Sequence, residues 1–580
     1  MIKSLLVANR GEIAVRVIRT ANEMGIRTIA VYSELDRDAL HVKLADEAWN
    51  IGPAPAGESY LNMDRVLEVA AESHAEAVHP GYGFLSENAI FAQKVMDAGL
   101  IWVGPPPHAI TVMGDKISSR NAAAEAGAPT VPGTMKALTS VDEVKETASE
   151  YGYPVAIKAA HGGGGKGLRV VWKESEVEEA FDGARREADA YFGNPEVYVE
   201  KYIETPRHVE AQIILDTHGN ALFLGERDCS VQRRHQKLIE ETPSPAMNDE
   251  QRAALGEAAL SVAKACGYLN AGTVEFLLAP DGEFYFLEMN TRLQVEHTVT
   301  EMVTGIDLVR EQIRVASGEP LSVTEVTPKG HSIEFRINAE DPFKNFTPSP
   351  GTITEYREPS GIGVRVDGWV SSTTNVSQYY DNLIAKLVVW AADRQQAIER
   401  GRRALEEFNV HGIATTIPAH LQVLQHPDFI EGTHHTKWIE DEVELIGHDP
   451  VPTETLPEEE DLERRSMTVE VGGRRFNVAY WSPPIGAPRS GGGARRKRPR
   501  LEKSSGGGAS DGIITAPMQG PIVKVRVKAG DSVDVGDQIC VLEAMKMENE
   551  VLAPSAGVVT DLRIEPGDTV TPGEVIAIVK

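Results

Sequence analysis

The last 70 residues of the chain contain one short pattern written twice. A shift of 37 positions places Ala516 on Ala553, and the same shift aligns the Gly-Asp pair at 530–531 with the pair at 567–568. Self-similarity at a fixed offset indicates a structural duplication. Apolar residues alternate between the Gly-Asp turns of each copy, which predicts β-strands. We therefore expect a small all-β domain in which the two copies close on each other as a flattened barrel.

Lys546 lies where the two copies join, inside the hexapeptide Glu-Ala-Met-Lys-Met-Glu at 543–548. An exposed lysine on a turn usually only contacts water, but this place in a duplicated unit favours an attachment site. The motif resembles the turn of biotin carboxyl carrier domains, in which the lysine is amide-linked to biotin. Related lipoyl domains usually carry Asp-Lys-Ala there. The two methionines favour biotin, and a lipoyl carrier of an acyltransferase is the alternative.

Composition limits the possible partners and the compartment. The chain has 86 acidic and 58 basic residues and a formal charge of −28, which argues against nucleic acid or an anionic membrane as a partner. Cys229, Cys266 and Cys540 have no metal-ligand spacing and fit a reducing compartment. The N-terminus turns polar at Asn9, and no apolar run approaches the roughly 20 residues that span a bilayer. We expect a cytoplasmic protein.

The N-terminal region predicts an open α/β layer. A strand to Val7 is followed by a helix over 11–23 and a second strand. The first strand is not followed by GxGxxG, so a dinucleotide is not expected. A turn-rich loop at 77–88 contains Tyr82 and leads into a helix that Ser86 is expected to cap. Because α/β sheets bind ligands in the loops after their strands, this loop is a candidate site.

A glycine loop at 162–165 lies between strands expected at 154–158 and 168–172. Consecutive glycines let bare backbone N–H groups approach phosphate oxygens. The loop is not a Walker A motif, because Lys166 is followed by glycine and a strand. Lys158 and Lys166, on either side of the glycines, favour a lid over a triphosphate, and a plain hairpin tip is the alternative.

The most informative stretch is a hairpin at 272–290. Asp-Gly at 281–282 predicts a two-residue turn, and pairing through that turn places Glu275 opposite Glu288, with apolar residues on the other face. A longer loop would shift this register. Two carboxylates across a ladder repel unless a cation lies between them, and together with the Asn290 amide they suit Mg²⁺ or Mn²⁺. A solvated acidic face is the alternative.

The same face is expected to continue through Arg292, Gln294 and Glu296, which gives the pattern E-x-N-x-R-x-Q-x-E. A guanidinium, an amide and a third carboxylate beside a metal can hold a small oxyanion and deprotonate it. With the glycine lid, the pattern resembles ATP-grasp enzymes of the biotin carboxylase branch. The resemblance covers residues 1 to about 447 and includes the motif Arg-Asp-Cys-Ser-Val-Gln-Arg-Arg-His-Gln-Lys at 227–237.

This resemblance implies roles for individual residues. The phosphates of ATP would be bound by Lys116, Lys158, Gly163, Gly164 and Gly165. The adenine side would be formed by Glu200, Ile203, His208 and His235. The divalent ions would be held by Glu275, Glu288 and Asn290. Bicarbonate would be bound by Lys237, Arg292, Gln294 and the Val295 backbone, and deprotonated by Glu296. The biotin ring would face Tyr82 and Arg336. A dimer contact would involve Arg16, Arg19 and Arg365.

Five parts are predicted along the chain, with a fold class of α/β and α+β followed by all-β. They are an α/β domain (1–115), an ATP-grasp domain (116–330, lid about 130–203), a carboxylase C-terminal domain (331–447), a linker (448–510) and a biotin carboxyl carrier domain (511–580). The linker contains a hairpin at 467–481, which we expect to dock on a partner because an isolated hairpin is only marginally stable. His434 and His435 have no evident ligand partners and are expected at the surface.

Together these features predict the α-subunit of a biotin-dependent acyl-CoA carboxylase, a ligase that carboxylates biotin on its own carrier with ATP and bicarbonate. The sequence leaves no room for an acceptor domain. We therefore expect a separate carboxyltransferase β-subunit that passes the carboxyl group from carboxybiotin to acetyl-CoA or propionyl-CoA. Biotin protein ligase would attach the biotin, and a homo-oligomer within a larger complex is expected. The alternatives are the subunit of a split pyruvate-directed carboxylase and a non-catalytic biotinylated assembly protein.

Overall fold

The computed structural model describes residues 1–160, 168–447, 463–471, 474–482, 513–516, 520–544, 547–570 and 573–580. Gly163, Gly164 and Gly165 of the predicted lid, and Lys546 of the predicted carrier, lie outside these residues. Within the described ranges, no helix combines the length and the apolar character needed to cross a bilayer.

The N-terminal region is a parallel sheet covered by helices. Its elements are β1 (Ser4–Val7), α1 (Gly11–Glu23), β2 (Arg27–Ser33), α2 (Leu40–Leu44), β3 (Glu47–Gly52), α3 (Met63–Glu72), β4 (Ala77–His79), α4 (Ala89–Asp97), β5 (Ile101–Trp102) and α5 (Pro107–Gly114). The strand order is β3-β2-β1-β4-β5. Leu5 and Val7 of β1 pack with α1, whereas Leu6 packs with α3 and α4 on the other face. The predicted first strand and first helix are confirmed.

The predicted cap of α4 is wrong. The helix begins at Ala89, and its N-cap is Asn88, whose side chain accepts a hydrogen bond from the backbone N–H of Phe91. Ser86 precedes this N-cap by two residues and lies within the turn before the helix. Its hydroxyl is buried and makes no hydrogen bond to the described part of the chain.

The middle region contains a small three-stranded sheet and most of a larger one. Its elements are α6 (Lys116–Glu125), α7 (Val141–Tyr151), β6 (Val155–Ala159), β7 (Arg169–Val171), α8 (Val177–Phe192), β8 (Val197–Lys201), β9 (Arg207–Leu215), β10 (Ala221–Arg233), β11 (Gln236–Thr242), α9 (Asp249–Ala265), β12 (Asn270–Leu278), β13 (Phe284–Asn290), α10 (His297–Thr304) and α11 (Leu308–Ala316). The small sheet has the order β7-β6-β8. The strands predicted on either side of the glycine loop are therefore present.

The larger sheet continues into the next region of the chain. The elements there are β14 (His331–Asn338), β15 (Glu340–Asp341), β16 (Thr347–Pro348), β17 (Gly351–Thr352), β18 (Glu355–Arg357), β19 (Val364–Gly368), β20 (Asn375–Val376), β21 (Leu383–Ala391), α12 (Arg394–Glu407), β22 (Asn409–His411), α13 (Ile417–Val423), α14 (Pro427–Glu431) and α15 (Trp438–Asp441). Eight strands pair in the order β13-β12-β9-β10-β11-β14-β21-β19. One sheet thus crosses the predicted boundary at residue 331.

The hairpin of β12 and β13 has the predicted pairing at its site end, although its loop differs from the prediction. The backbone N–H of Ala279 bonds to the carbonyl of Glu283, so the loop has one residue more than a two-residue turn. The register then shifts by one residue between the Glu275–Glu288 pair and the Phe276–Phe286 pair. This bulge compensates for the longer loop. The bulge also places Phe286 in the core. Tyr285 and Leu287, two of the apolar residues expected on the face opposite the carboxylates, are only half-buried.

The expectation that His434 lies at the surface is wrong. Only 1% of His434 is exposed, its ring stacks on Phe429, and its Nε2 accepts a hydrogen bond from Arg207. Burial lowers the pKa of His434 to about 4. The ring therefore packs as a neutral group between α14 and the large sheet.

The predicted hairpin in the linker is present and longer than expected. Its strands are β23 (Glu463–Val471) and β24 (Arg474–Ser482), which pair antiparallel from Glu463 with Ser482 to Val471 with Arg474. Its docking on a partner stays a prediction.

The C-terminal region confirms the duplication. Its strands are β25 (Ile513–Thr515), β26 (Gly520–Val525), β27 (Ser532–Val533), β28 (Gln538–Ala544), β29 (Met547–Leu552), β30 (Gly557–Leu562), β31 (Thr569–Val570) and β32 (Val575–Val579). They form two sheets, β25-β32-β30-β27 and β29-β28-β26-β31. The shift of 37 residues converts one order into the other. Gly530 and Gly567 match in backbone conformation, with φ of +101° and +100°.

A buried arginine joins the N-terminal sheet to the region of residues 331–447. Arg10 donates Nε and Nη2 to the two oxygens of Asp36 at 2.6 and 2.8 Å. Its guanidinium lies 4.8 Å from the ring centre of Trp369 and 4.2 Å from that of Tyr380. Tyr60 also donates its hydroxyl to Asp36. The ion pair is almost fully enclosed, with 8% and 4% of the two side chains exposed.

Replacing Asp36 by Asn is expected to destabilise the protein strongly. The change leaves the guanidinium of Arg10 buried without its counter-ion, which costs about 3–5 kcal/mol. Thermal and urea unfolding of the wild type and the variant measure the loss. The matched control is Glu68→Gln, which removes an exposed partner of Arg65 and should cost less than about 1 kcal/mol. Equal effects of the two substitutions would contradict a structural role for the buried pair.

Candidate functional site

The predicted metal ligands lie together on β12 and β13. Glu275 pairs directly across the ladder with Glu288, and Asn290 donates Nδ2 to Glu275 Oε1 at 2.9 Å. His208 Nε2 lies 3.0 Å from Glu275 Oε2. Burial opposes the charge of Glu275, but Lys237 and His208 outweigh it and hold its pKa well below the usual value. Burial and the charge of Glu275 both raise the pKa of Glu288.

The arrangement of these two carboxylates fits a divalent cation. Glu288 faces an ionised neighbour in a buried setting, and its raised pKa reflects repulsion that a cation between the two groups would relieve. Oxygen ligands suit Mg²⁺ or Mn²⁺. Ligand atoms of His208, Glu210 and Glu275 also lie within 4.8 Å of one another. In that second group, however, the ammonium of Lys237 already contacts both carboxylates.

Lys237, on β11, forms the centre of the site. Its Nζ lies 2.5 Å from Glu296 Oε1, 2.6 Å from Glu210 Oε2 and 3.1 Å from Glu275 Oε1. Burial lowers the pKa of an ammonium group, but the surrounding anions prevail and hold the pKa of Lys237 well above its usual value. Burial also opposes ionisation of Glu296, yet Lys237 and two arginines hold its pKa well below the usual value. Both groups are therefore charged.

The residues predicted to bind the oxyanion lie in a loop, which corrects the expected strand face. Strand β13 ends at Asn290, and Glu296 is the N-cap of α10. Arg292 donates Nε to Glu87 at 2.9 Å and Nη2 to Asn290 Oδ1 at 2.8 Å. Gln294 donates Nε2 to Glu275 at 2.6 Å. The loop thus brings a guanidinium, an amide and a carboxylate beside the metal pair without continuing the ladder.

Arg336 holds the second oxygen of Glu296. It lies on β14, and its Nη2 is 2.9 Å from Glu296 Oε2, while its Nε donates to Glu240. Lys237 and Arg336 therefore bind opposite oxygens of one carboxylate. Burial raises the pKa of Glu240 to about 8, with further contributions from Glu334 and Glu296 that act against Arg336.

The residues predicted for the nucleotide lie on several elements, and two of them contact each other directly. Lys158 contacts Glu200, which also accepts a hydrogen bond from Arg120 at 3.1 Å. Lys116 is the first residue of α6, and burial lowers its pKa next to Glu288. The structure thus pairs Lys158, predicted for the phosphates, with Glu200, predicted for the adenine.

Four further predicted residues lie at different places in the fold. Ile203 is half-buried just after β8, and His235 is exposed on the turn between β10 and β11, with a positive φ of 64°. The Tyr82 hydroxyl donates to Glu12 of α1. His208, predicted on the adenine side, contacts Glu275 of the predicted metal ligands instead.

Sequence reasoning missed several buried residues that support the site, above all Arg227. This arginine is fully buried on β10, and its partners are Glu210, Gln212, Thr273, Gln294 and Thr300. It orients Gln294, since its Nη2 donates to Gln294 Oε1 at 2.7 Å. Glu240, Lys386 and Glu12 were also missed. For Arg227, Glu240 and Lys386 the available signal was a charged residue inside a strand whose neighbours are buried, whereas Glu12 lies in the first turn of α1.

Four family models match the chain in order. They are the biotin carboxylase N-terminal domain (1–110), the ATP-binding domain of the carbamoyl-phosphate synthase L chain (115–324), the biotin carboxylase C-terminal domain (334–441) and the biotin-requiring enzyme domain (513–579).

Similar proteins agree with this order. The biotin-dependent acyl-coenzyme A carboxylase alpha3 subunit of Mycobacterium leprae is 49% identical over 95% of this chain and 94% of that protein. A pyruvate carboxylase subunit of Methanothermobacter thermautotrophicus is 51% identical over 76% of this chain and 90% of its own. A solved structure of the Hydrogenobacter thermophilus 2-oxoglutarate carboxylase biotin carboxylase domain, a dimer with MgADP, ADP and bicarbonate, matches with a TM-score of 0.73. It is 48% identical and covers 76% of this chain and 97% of that one.

Glu240→Gln is expected to flatten the dependence of stability on alkaline pH. The folded protein holds a proton on Glu240 up to about pH 8, whereas the unfolded chain releases it near the ordinary value of 4.5. The folded state therefore binds more protons in this window, and stability falls as the pH rises through it. Glutamine cannot ionise, so the variant should lose less stability between about pH 6 and about pH 9. Thermal unfolding at both pH values, with the exposed-loop variant Glu283→Gln as control, measures this. Parallel curves for all three proteins would contradict the prediction.

Proposed function

The chain belongs to the biotin carboxylase family and combines a biotin carboxylase with a biotinyl-carrier domain, and on this basis we propose that it is the α-subunit of an acyl-CoA carboxylase. The single observation that carries the proposal is that Lys237 and Arg336 form ion pairs with the two oxygens of Glu296, next to the Glu275–Glu288 pair. This arrangement supports a role for Glu296 as the base, between a carboxylate pair suited to metal-bound phosphates and an arginine that could receive a second substrate.

ATP would bind at the Glu275–Glu288 pair. Glu275, Glu288 and Asn290 would hold Mg²⁺ or Mn²⁺, which supplies neutralising charge to the phosphates. Lys116, Lys158 and the lid glycines would contact the phosphates, and the region of Glu200, Ile203, His208 and His235 would receive the adenosine. Phosphoryl transfer depends mainly on such positioning and charge neutralisation.

Bicarbonate would bind next to Glu296. We assign its contacts to Lys237, Arg292, Gln294 and the Val295 backbone. Glu296 would take the hydroxyl proton, the freed oxygen would attack the γ-phosphorus of ATP, and the bond to ADP would break. The C–O bond of the resulting carboxyphosphate would break to give CO₂ and inorganic phosphate within the site, and this phosphate would take up the proton that the ureido nitrogen loses when it attacks CO₂.

Biotin would enter beside Arg336 and Tyr82. When attached to Lys546, biotin supplies the ureido nitrogen that accepts the carboxyl group. Arg336 would stabilise negative charge on the ureido oxygen, and Tyr82 would face the ring. Lys546 itself is outside the described residues, and Ala544 and Met547, the motif residues on either side of positions 545–546, are paired across β28 and β29.

The carrier would deliver the carboxyl group to a carboxyltransferase β-subunit, with biotin protein ligase as a second partner. The relative from Mycobacterium leprae, which matches both modules of this chain, supports an acyl-CoA acceptor such as acetyl- or propionyl-CoA. The pyruvate carboxylase relative is as similar over the carboxylase region, so pyruvate is the second candidate acceptor.

We also propose a homo-oligomer through the surface around Arg19 and Ile362. Arg19 is exposed, and 85% of Ile362 is exposed. Arg16 and Arg365, expected in the same contact, bind Glu301 within the chain at 2.7 and 2.8 Å and would support this surface from beneath.

The Glu296→Gln variant should lose bicarbonate-dependent ADP release. Glutamine keeps the shape of the side chain but cannot accept the proton, and loss of a general base costs about 10²–10⁴-fold in rate. ADP release with free biotin, ATP and bicarbonate is compared with that of Glu283→Gln, an exposed change on the same hairpin. Absence of the activity in the wild type would instead favour a non-catalytic biotinylated assembly protein.

Lys546→Ala should abolish carboxylation of the final acceptor and leave carboxylation of free biotin intact. The attachment lysine is needed only to carry the group away from the carboxylase site. The partner is first co-purified with the wild type, and the complex is assayed with acetyl-CoA, propionyl-CoA, longer acyl-CoAs and pyruvate. Lys528→Ala, on the exposed surface of the same domain, is the control. Loss of both activities would contradict separable domains, and a wild type negative on a streptavidin blot would favour lipoate.

A further inference from the structure

Lys386 is a fully buried lysine outside the set of residues assigned above. It lies on β21, directly opposite Arg336 of β14 in the ladder, and none of it is exposed. Its Nζ donates to the backbone carbonyl of Val295 at 2.8 Å and lies 3.2 Å from Glu12 Oε1. A buried ammonium group is costly unless it is paired and hydrogen-bonded, and here both partners belong to segments next to proposed substrate subsites.

Glu12 connects Lys386 to the loop of Tyr82. It lies in the first turn of α1, 4% exposed, and the same oxygen that faces Lys386 accepts the hydroxyl of Tyr82. Asn9, just before the helix, donates Nδ2 to the carbonyls of Pro80 and Tyr82 at 2.7 and 2.8 Å. The start of α1 therefore holds the Tyr82 loop by both its backbone and its side-chain hydroxyl.

The contact with Val295 acts on the loop that carries Gln294 and Glu296. A peptide unit is planar, so a donor that fixes the carbonyl of Val295 also fixes the plane that leads into Glu296. On the Gln294 side, Arg227 holds the amide. Lys386 is the charged donor on the opposite side of this short segment, next to Arg336.

We propose that Lys386 and Glu12 are positioning residues that join the bicarbonate loop at Val295 to the biotin-facing Tyr82, so that both subsites are set by one buried ion pair. The inference rests on the proposed function, since it takes Val295 and Tyr82 as substrate contacts. Lys386 and Glu12 touch neither substrate in this scheme. Their removal should therefore impair both subsites together and leave the nucleotide subsite largely intact.

The test compares steady-state kinetics of Lys386→Met and Glu12→Gln with the wild type, using the full chain, ATP, bicarbonate and free biotin. A mutation far from the reacting atoms that misplaces a binding group can lower the reaction rate by up to about 10²-fold. We expect KM for bicarbonate and KM for biotin each to rise about 10-fold or more in Lys386→Met, with little change in KM for ATP. Glu12→Gln should change the same two constants in the same direction, less strongly. In the double variant the effects should be less than additive, because the two residues form one unit.

Arg394→Met is the matched control, because it breaks another buried ion pair, with Glu241 of the same large sheet. It should lower thermal stability without the selective rise in the two KM values. If Lys386→Met does not fold, the KM values of Glu12→Gln test the inference instead, because glutamine keeps the size of the glutamate side chain. Unchanged KM values in a folded variant, or a loss of stability or kcat without the selective rise in the two KM values, would overturn the inference. A wild type without bicarbonate-dependent ADP release would instead overturn the proposed function.

Discussion

The carboxylase site depends on one ammonium group, that of Lys237, which sits among three buried carboxylates. Glu210, Glu275 and Glu296 come from β9, β12 and the loop before α10, and each has an oxygen within 3.1 Å of the lysine. Like charges brought together in a poorly solvated interior repel strongly. Lys237 lies between the three side chains and offsets this repulsion, with Arg227, His208 and Arg336 around the outside.

The same interaction bears on the proposed role of Glu296 as the base. In the structure both of its oxygens are held by cations, which makes it a weak proton acceptor. In the proposed function, bicarbonate at Lys237 and a ureido oxygen at Arg336 would compete for those cations. Each substrate that arrives would therefore raise the pKa of Glu296 toward the range needed for proton transfer. The proposed base would then be most effective with both substrates in place, which would limit wasteful turnover of ATP.

The sequence predicts which residues come together in this site better than it predicts the contacts that support them. The pairing of Glu275 with Glu288 follows from alternation along the hairpin, and it is correct because the bulge before Glu288 cancels the longer loop. No local pattern encodes that cancellation. Ser86 and His434 were misplaced for the related reason that capping and burial are decided by residues distant in sequence. The partners of Arg227, Glu240 and Lys386 come from several strands, so only the folded sheet reveals them.

In the carrier domain, the two copies of the duplicated sequence depend on each other for their structure. Each of its two sheets contains strands from both copies: β25 and β27 of the first copy flank β32 and β30 of the second, and the other sheet reverses this. A single copy would leave each of its strands without at least one of its neighbours. The matching hydrogen bonds of Gly530 to Val559 and Gly567 to Ile522 tie each copy's turn to a strand of the other. Strands β28 and β29, which lie on either side of residues 545–546 in the sequence, pair with each other and contribute residues to the core of the domain. Because both sheets and the core draw on both copies, the duplicated unit folds as one domain.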